Sequence, residues 1–258
     1  MSKYLRFRAK GEIRYGLLEG ERVRILKDTP FEGTEITSSE VSLHSVQILA
    51  PCEPSKIVCV GLNYRDHAAE VNQPLPEEPH IFLKPSTAVI GPGEKILLPP
   101  MAKRVDYEGE LAFVIKRRAK DIPREEAKEY ILGYTCFNDV TARDLVAKDG
   151  GPLRAKIFDT FAAFGPYIVD DVDPLGLGIK TYLNGEVKQS SNTANLVFDP
   201  FQLVSFISSV LTLLPGDVIS TGTPSGIAPM RAGDVVEVEI ENIGRLKNIV
   251  ALPHRGDE

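Results

Sequence analysis

Short β-prone runs, each broken by turn residues before it reaches helical length, dominate the chain and limit what it can fold into. Tyr4 to Leu26 reads YLRFR, IRYGLL and RVRIL with Gly-containing breaks, including Glu19-Gly20, the pattern of a small antiparallel meander. Further along come LAFVIK, ILGYTCF, GPYIV, IKTYL, VVEVEI and RLKNIV. Asn184-Gly185 between TYL and EVKQ is a two-residue hairpin signal. Val236, Val238 and Ile240 alternate with Glu237, Glu239 and Glu241, as in a half-solvated strand. Helices are few. One begins at Ile122-Pro123 with Glu125 and Glu126 in its first turn, and a second follows Asp199-Pro200, an acidic cap with proline at the first helical position. The second is apolar on most sides, as a buried helix would be. No internal repeat is present, and the expected fold is mainly β (α+β).

After a polar stretch around Thr34 to Ser42, Pro51 and Pro54 precede the strand-like KIVCV. This places a boundary near residue 50, between a small N-terminal β-rich domain (1–50) and a main domain (51–258). A chain of 258 residues can bury a core that needs no disulfide staples. A formal charge of -6 with no basic block argues against a general nucleic-acid binder. Cys52, Cys59 and Cys136 are odd in number and form no CxxC pair, and MSKYLRFRAKGE has no apolar signal region, so a reducing, cytoplasmic location is expected. The longest apolar stretch, Leu203 to Leu214, is interrupted by Ser205, Ser208 and Ser209 and stops at Pro215, too short for a membrane span.

Read as a strand, VDYEGELAFVI puts Tyr107, Gly109, Leu111, Phe113 and Ile115 on one face and Glu108 and Glu110 on the other. The two carboxylates are then one pleat repeat, roughly 7 Å, apart, which favours either a cation between them or a solvated strand edge. Asp139 follows ILGYTCF in NDVTARD, where it is either a third acidic ligand or an Asx turn or helix cap. Two Glu and one Asp without Cys or His form an all-oxygen set, selective for Mg²⁺, Mn²⁺ or Ca²⁺ over zinc. In GLNYRDHAAEV, His67 and Glu70 share a face of a short helix, either as a base with its orienting acid or as an exposed ion pair. His44, His80 and His254 have no such neighbour and are assigned no chemistry. Lys84 in FLKPST, Arg143 in TARD and Lys156 in AKIFD sit among apolar or turn residues, which suggests an anionic ligand. The turn STGTPSG, with Gly222 and Thr223, follows the strand DVIS and offers backbone N–H groups and hydroxyls to a carboxylate oxygen. It lacks the Lys-Ser/Thr ending and following helix of a P-loop.

Taken in order, GLNYxxHAxE, FLKPS, DYEGELA, GYTxxNDVTARD, AKxFDTFxxxGP, LNGEVxQxxNT, LPGDVISTGTPSG and GDVVEVEIExIGxLxN resemble the fumarylacetoacetate hydrolase family from about residue 55 to the C-terminus. The first fifty residues resemble the small N-terminal domain of its bacterial and archaeal members. The resemblance implies a mixed β-sandwich roll, homodimeric, with a divalent metal held by Glu108, Glu110 and Asp139. It implies that His67 and Glu70 form a catalytic dyad on a mobile lid, that Lys156 lies beside the metal as a further catalytic residue, and that Arg143 and Thr223 contact the substrate, to which Lys84 and Gly222 are added as candidate contacts.

Members of the family act on 2-oxo acids or their enols. They hydrolyse acylpyruvates, decarboxylate oxaloacetate, or isomerise and tautomerise dicarboxylates from aromatic degradation. The chain departs from the family pattern at Val146, where many members read TARDxQ, and in having no Trp before Lys156. The expected function is that of a metal-dependent hydrolase or decarboxylase acting through an enolate, with a 2-hydroxyhepta-2,4-diene-1,7-dioate or oxaloacetate isomerase or tautomerase as alternative. A non-catalytic oxo-acid-binding protein is the alternative of another class.

Overall fold

Strand Gly109–Ile115 is buried at every residue, because it is paired on both sides and covered on both faces. It runs antiparallel to Ile131–Asp139 on one side and to Val218–Ser220 on the other. In the computed structural model, which describes residues 1–253, these strands lie at the centre of a 12-stranded sheet. His254 lies outside the described residues. From Val218–Ser220 the sheet continues through Ile57–Gly61 to His80–Lys84. In the other direction it passes from Ile131–Asp139 through Ala162–Val169 to the N-terminal meander of Lys3–Ala9, Glu12–Glu19 and Arg22–Leu26. A second, five-stranded sheet takes the order Glu186–Asn192, Gly178–Leu183, Val235–Ile240, Gly244–Ala251, Lys95–Leu97.

The period of two along the central strand assigns its side chains to two cores. Leu111, Phe113 and Ile115 pack towards the five-stranded sheet, with Ile179, Val236, Val238 and Leu246. Ala112 and Val114 point the other way, into a cluster with Ile57, Cys59, Phe137, Phe164 and Val218. Gly109 is the point of closest approach between the sheets: a Cβ there would lie 2.0 Å from Thr181 Oγ1. Asn184-Gly185 turns the hairpin between Gly178–Leu183 and Glu186–Asn192 with both residues at positive φ, +54° and +83°, as a type I′ turn requires.

The fold is mostly β, as the run pattern implies. The polar stretch near Thr34 is different: it contains the strand Ile36–Ser42, whose residues are largely exposed. At the end of the sheet it pairs on one side only, with Arg22–Leu26, so burial imposes no apolar period on it. Strand Lys3–Ala9 pairs with Ala162–Val169 at Lys3–Val169 and Tyr4–Ile168, which makes the N-terminal strands part of the main sheet. The α-helix Pro200–Val210 begins with a capping box, in which Asp199 accepts the Gln202 N–H and Gln202 accepts the Asp199 N–H. It buries Leu203, Val204 and Ile207. The segment after Pro123 is a 3₁₀ helix, Arg124–Tyr130. Among the described residues no helix is long and apolar enough to cross a membrane.

Candidate functional site

Strand register brings the acidic residues together. Gly109 lies opposite Asn138 and Glu110 opposite Phe137, and the Asp139 N–H donates to the Glu108 carbonyl at 2.8 Å. Glu108, Glu110 and Asp139 therefore project from the same face of two neighbouring strands. An oxygen of each lies within 4.8 Å of the others. They are only 5%, 1% and 1% exposed, which removes the solvated-edge reading of the glutamates.

Each carboxylate has its own support. Glu110 accepts Ser220 Oγ–H at 2.5 Å and the Gly222 N–H at 2.8 Å. Glu108 takes Lys156 Nζ at 2.7 Å and the Arg143 Nη2–H. Asp139 takes the same Lys156 ammonium through Oδ2. Lys84 Nζ lies 2.6 Å from Asp139 Oδ1 and also donates to the carbonyls of Val140 and Phe161, at 3.0 and 2.6 Å. Three buried carboxylates that converge in this way form an all-oxygen donor set, which fits a hard divalent cation.

Charge is distributed unevenly. Burial by itself raises the Glu108 carboxyl, but the Lys156 ammonium and Arg143 guanidinium outweigh it and hold it down at about 2. Burial, then the charges of Asp139 and Glu108, push Glu110 well above the usual carboxylate range. Burial also works against the charge on Lys156, but Asp139, Glu108 and Glu110 more than restore it and its pKa is raised.

These groups open into a cavity of about 420 Å³, lined also by His67, His80, Phe82, Val146 and Thr223. His67 and Glu70 occupy the helix Arg65–Glu70, with His67 Nδ1 2.8 Å from Glu70 Oε2. Glu70 Oε1 accepts the Gly226 N–H at 2.9 Å, so the pair is tied to the STGTPSG turn and is not a free surface ion pair. Thr223 Oγ1 donates to the Gly109 carbonyl at 3.0 Å and accepts from Gln189 Nε2 at 2.8 Å.

Two expected substrate contacts are placed elsewhere. Lys84 is fully buried and does not line the cavity; its hydrogens are taken behind Asp139. The Gly222 N–H does hold a carboxylate, but that of Glu110. Its φ of +95° and an ideal Cβ position only 2.9 Å from Asn63 Cβ explain the glycine. His80, assigned no chemistry from sequence, lines the cavity, and Val146 lies in its wall. Asp106 was missed altogether. It is fully buried and pairs with Arg104 Nε at 2.8 Å and Arg143 Nε at 3.0 Å. The signal was available, since Asp106 continues the alternation of Glu108 and Glu110 in VDYEGE.

Residues 56–251 match the family model described as fumarylacetoacetate (FAA) hydrolase C-terminal, and residues 2–51 match one described as Rv2993c-like, N-terminal. The mitochondrial oxaloacetate tautomerase of Xenopus laevis is 44% identical over 223 residues, 81% of this chain and 70% of that protein. The crystal structure of 2-hydroxyhepta-2,4-diene-1,7-dioate isomerase from Mycobacterium marinum is 43% identical, with a TM-score of 0.92 over all of both chains. Maleylpyruvate hydrolase from Sphingobium sp. SYK-6, in complex with manganese(II) and pyruvate, is 28% identical, with a TM-score of 0.82 over 98% of this chain and 100% of that one. These relatives are named as a tautomerase, an isomerase and a hydrolase of small organic acids. The chain belongs to the fumarylacetoacetate hydrolase family.

Proposed function

We propose that the chain is a divalent-metal-dependent enzyme that moves a proton at the carbon beside the keto group of a 2-oxo dicarboxylic acid, as an enol–keto tautomerase or isomerase. The observation that carries this reading is the placing of a carboxylate-held imidazole, His67, on the same cavity as Glu108, Glu110 and Asp139. Bound by those three carboxylates, Mg²⁺ or Mn²⁺ supplies the positive charge that a developing enolate needs. Glu70 keeps a proton on His67 Nδ1, so Nε2 is the nitrogen that exchanges a proton with the substrate carbon. In the enol-to-keto direction that carbon gains a proton and the enol hydroxyl loses one. Arg143, on the cavity wall, receives a substrate carboxylate, and Thr223 lines the cavity as a further substrate contact. Lys156 and Lys84 hold the acidic residues in place from within the protein.

Hydrolysis would add a positioned water, and Val146 and Pro152 give their part of the wall no side-chain donors to hold one. A second reading, C–C hydrolysis or oxaloacetate decarboxylation through the same enolate, is supported by the manganese and pyruvate in the Sphingobium neighbour. We also infer a division into units 1–50 and 51–258 and a homodimer in solution, which light scattering tests.

The deciding assay follows the enol absorbance of oxaloacetate with Mg²⁺ alongside product analysis. The wild type should accelerate ketonisation. His67→Ala and Glu70→Ala should each lose about 100-fold or more in turnover while keeping Mg²⁺ affinity, and the double variant should be little worse than the poorer single one. Release of pyruvate from oxaloacetate or from acylpyruvates without faster ketonisation would replace this reading with the second.

A further inference from the structure

We propose that Asp106 is the positioning residue that makes Arg143 a receptor for the substrate's carboxylate, by anchoring the guanidinium through Nε while its Nη nitrogens transfer from Glu108 to the incoming anion. The proposal rests on the metal and oxo-acid reading above.

Asp106 lies at the back of the site, in the two-stranded ribbon where Val105 pairs with Ala142 and Asp106 with Thr141. The Arg143 N–H donates to the Arg104 carbonyl at 2.8 Å. Arg143 is therefore tied to this ribbon by its backbone, by its register and, through Asp106 Oδ2, by its Nε–H. At its far end Nη2 donates to Glu108 Oε1, and the side chain lines the cavity while Asp106 does not.

The two carboxylates on Arg143 differ in what they can give up. Glu108 belongs to the set that fits a divalent cation, and an oxygen turned to a cation is lost to the guanidinium. Asp106 is not in that set. Arg143 is part-buried, and a guanidinium there without any carboxylate would lose its orientation, whereas one still bonded at Nε keeps it. The freed Nη edge can then take a carboxylate oxygen pair, the planar geometry a guanidinium recognises.

Arg104 completes the device. Its Nε–H occupies the other Asp106 oxygen at 2.8 Å, and its side chain is about half exposed. The Asp106 charge is thus shared with Arg104 on the solvent side and offsets less of the positive charge that Arg143 presents to the cavity.

The test is calorimetry with Mg²⁺ alone and then with oxalate on the Mg²⁺-loaded protein, for wild type, Asp106→Asn and Arg104→Met. Asp106→Asn should weaken oxalate binding by about tenfold or more, the range for a hydrogen bond to a charged group, and change Mg²⁺ affinity by less than about threefold. Arg104→Met should weaken oxalate by a smaller factor and leave Mg²⁺ affinity alone. In turnover, both should raise KM more than they lower kcat. Unchanged oxalate affinity in Asp106→Asn overturns the proposal, and so does an equal loss of Mg²⁺ and oxalate affinity, which would mark a merely structural role. Should Asp106→Asn not fold, Arg104→Met decides, and oxalate affinity equal to wild type overturns it. A wild type that binds no Mg²⁺ sinks the functional reading and this proposal together, whereas normal Mg²⁺ and oxalate binding by both variants sinks this proposal alone.

Discussion

Glu108 and Glu110 stand two residues apart on one strand face, and their surroundings push their carboxyls in opposite directions. Glu108 faces two cations, which outweigh its burial and lower it; burial, then the charges of Asp139 and Glu108, raise Glu110 well above the usual carboxylate range. Binding a divalent cation at this set requires Glu110 to give up its proton. Since the proton is bound in the free protein and released in the complex, Mg²⁺ affinity should increase with pH until pH passes the raised Glu110 value, and then level off. Titrations in two buffers of different ionisation heat should report close to one proton released per ion. Equal heats in both buffers, with affinity independent of pH, would show that Glu110 is already ionised. The pairing of these glutamates was legible in the alternation of DYEGELA. The direction of Lys84 and the nearness of His80 were not, because each depends on how strand His80–Lys84 registers against Ile57–Gly61, a pairing no local pattern encodes.

At the scale of elements, the strand Gly109–Ile115 serves two layers at once. Its odd-numbered side chains fill the space beneath the five-stranded sheet, and its even-numbered ones fill the opposite core and begin the acidic site. Gly109 sets the gap between layers just where Glu108 and Glu110 flank it. Gly109→Ala should destabilise the fold by roughly 1–3 kcal/mol, the usual cost of overpacking, and weaken Mg²⁺ binding because the strand must move. Thr181 Oγ1 is the atom in the way and is itself buried without a hydrogen-bond partner among the described residues, so Thr181→Ala should cost little alone and recover part of the loss in the double variant. Thermal denaturation of the four proteins checks this, and strictly additive losses would refute a clash. The strands with an apolar period and the Asn184-Gly185 hairpin could be read from sequence, as could the helix after Asp199. Ile36–Ser42 could not, since an exposed edge strand is shaped by backbone hydrogen bonds that leave no mark on composition.

For the molecule as a whole, the acidic centre is built with its counter-charges inside the same chain. Lys156 bridges Glu108 and Asp139, Lys84 backs Asp139, Arg143 joins Glu108 to Asp106, and Arg104 closes the row from the solvent side. A site of bare carboxylates would repel itself apart when metal is withdrawn; this one has an ammonium seated between two of its acids. Chelated protein should therefore keep its near-ultraviolet signature and melt cooperatively, with Mg²⁺ raising the midpoint only by mass action. A chelated protein without tertiary signal would contradict this.

The Lys156 bridge has a consequence for the order of events at synthesis. In small zinc domains the ion is needed for the chain to fold at all, so supply of metal limits how much protein survives. Here Lys156 bridges Glu108 and Asp139 from within the chain, so the pairing of their strands has a support other than an ion. On the metal-dependent reading proposed above, a newly made chain should reach its native state in a metal-poor cell, and Glu108, Glu110 and Asp139 would take up the ion afterwards. Scarcity would then lower the activity of this protein without lowering its abundance.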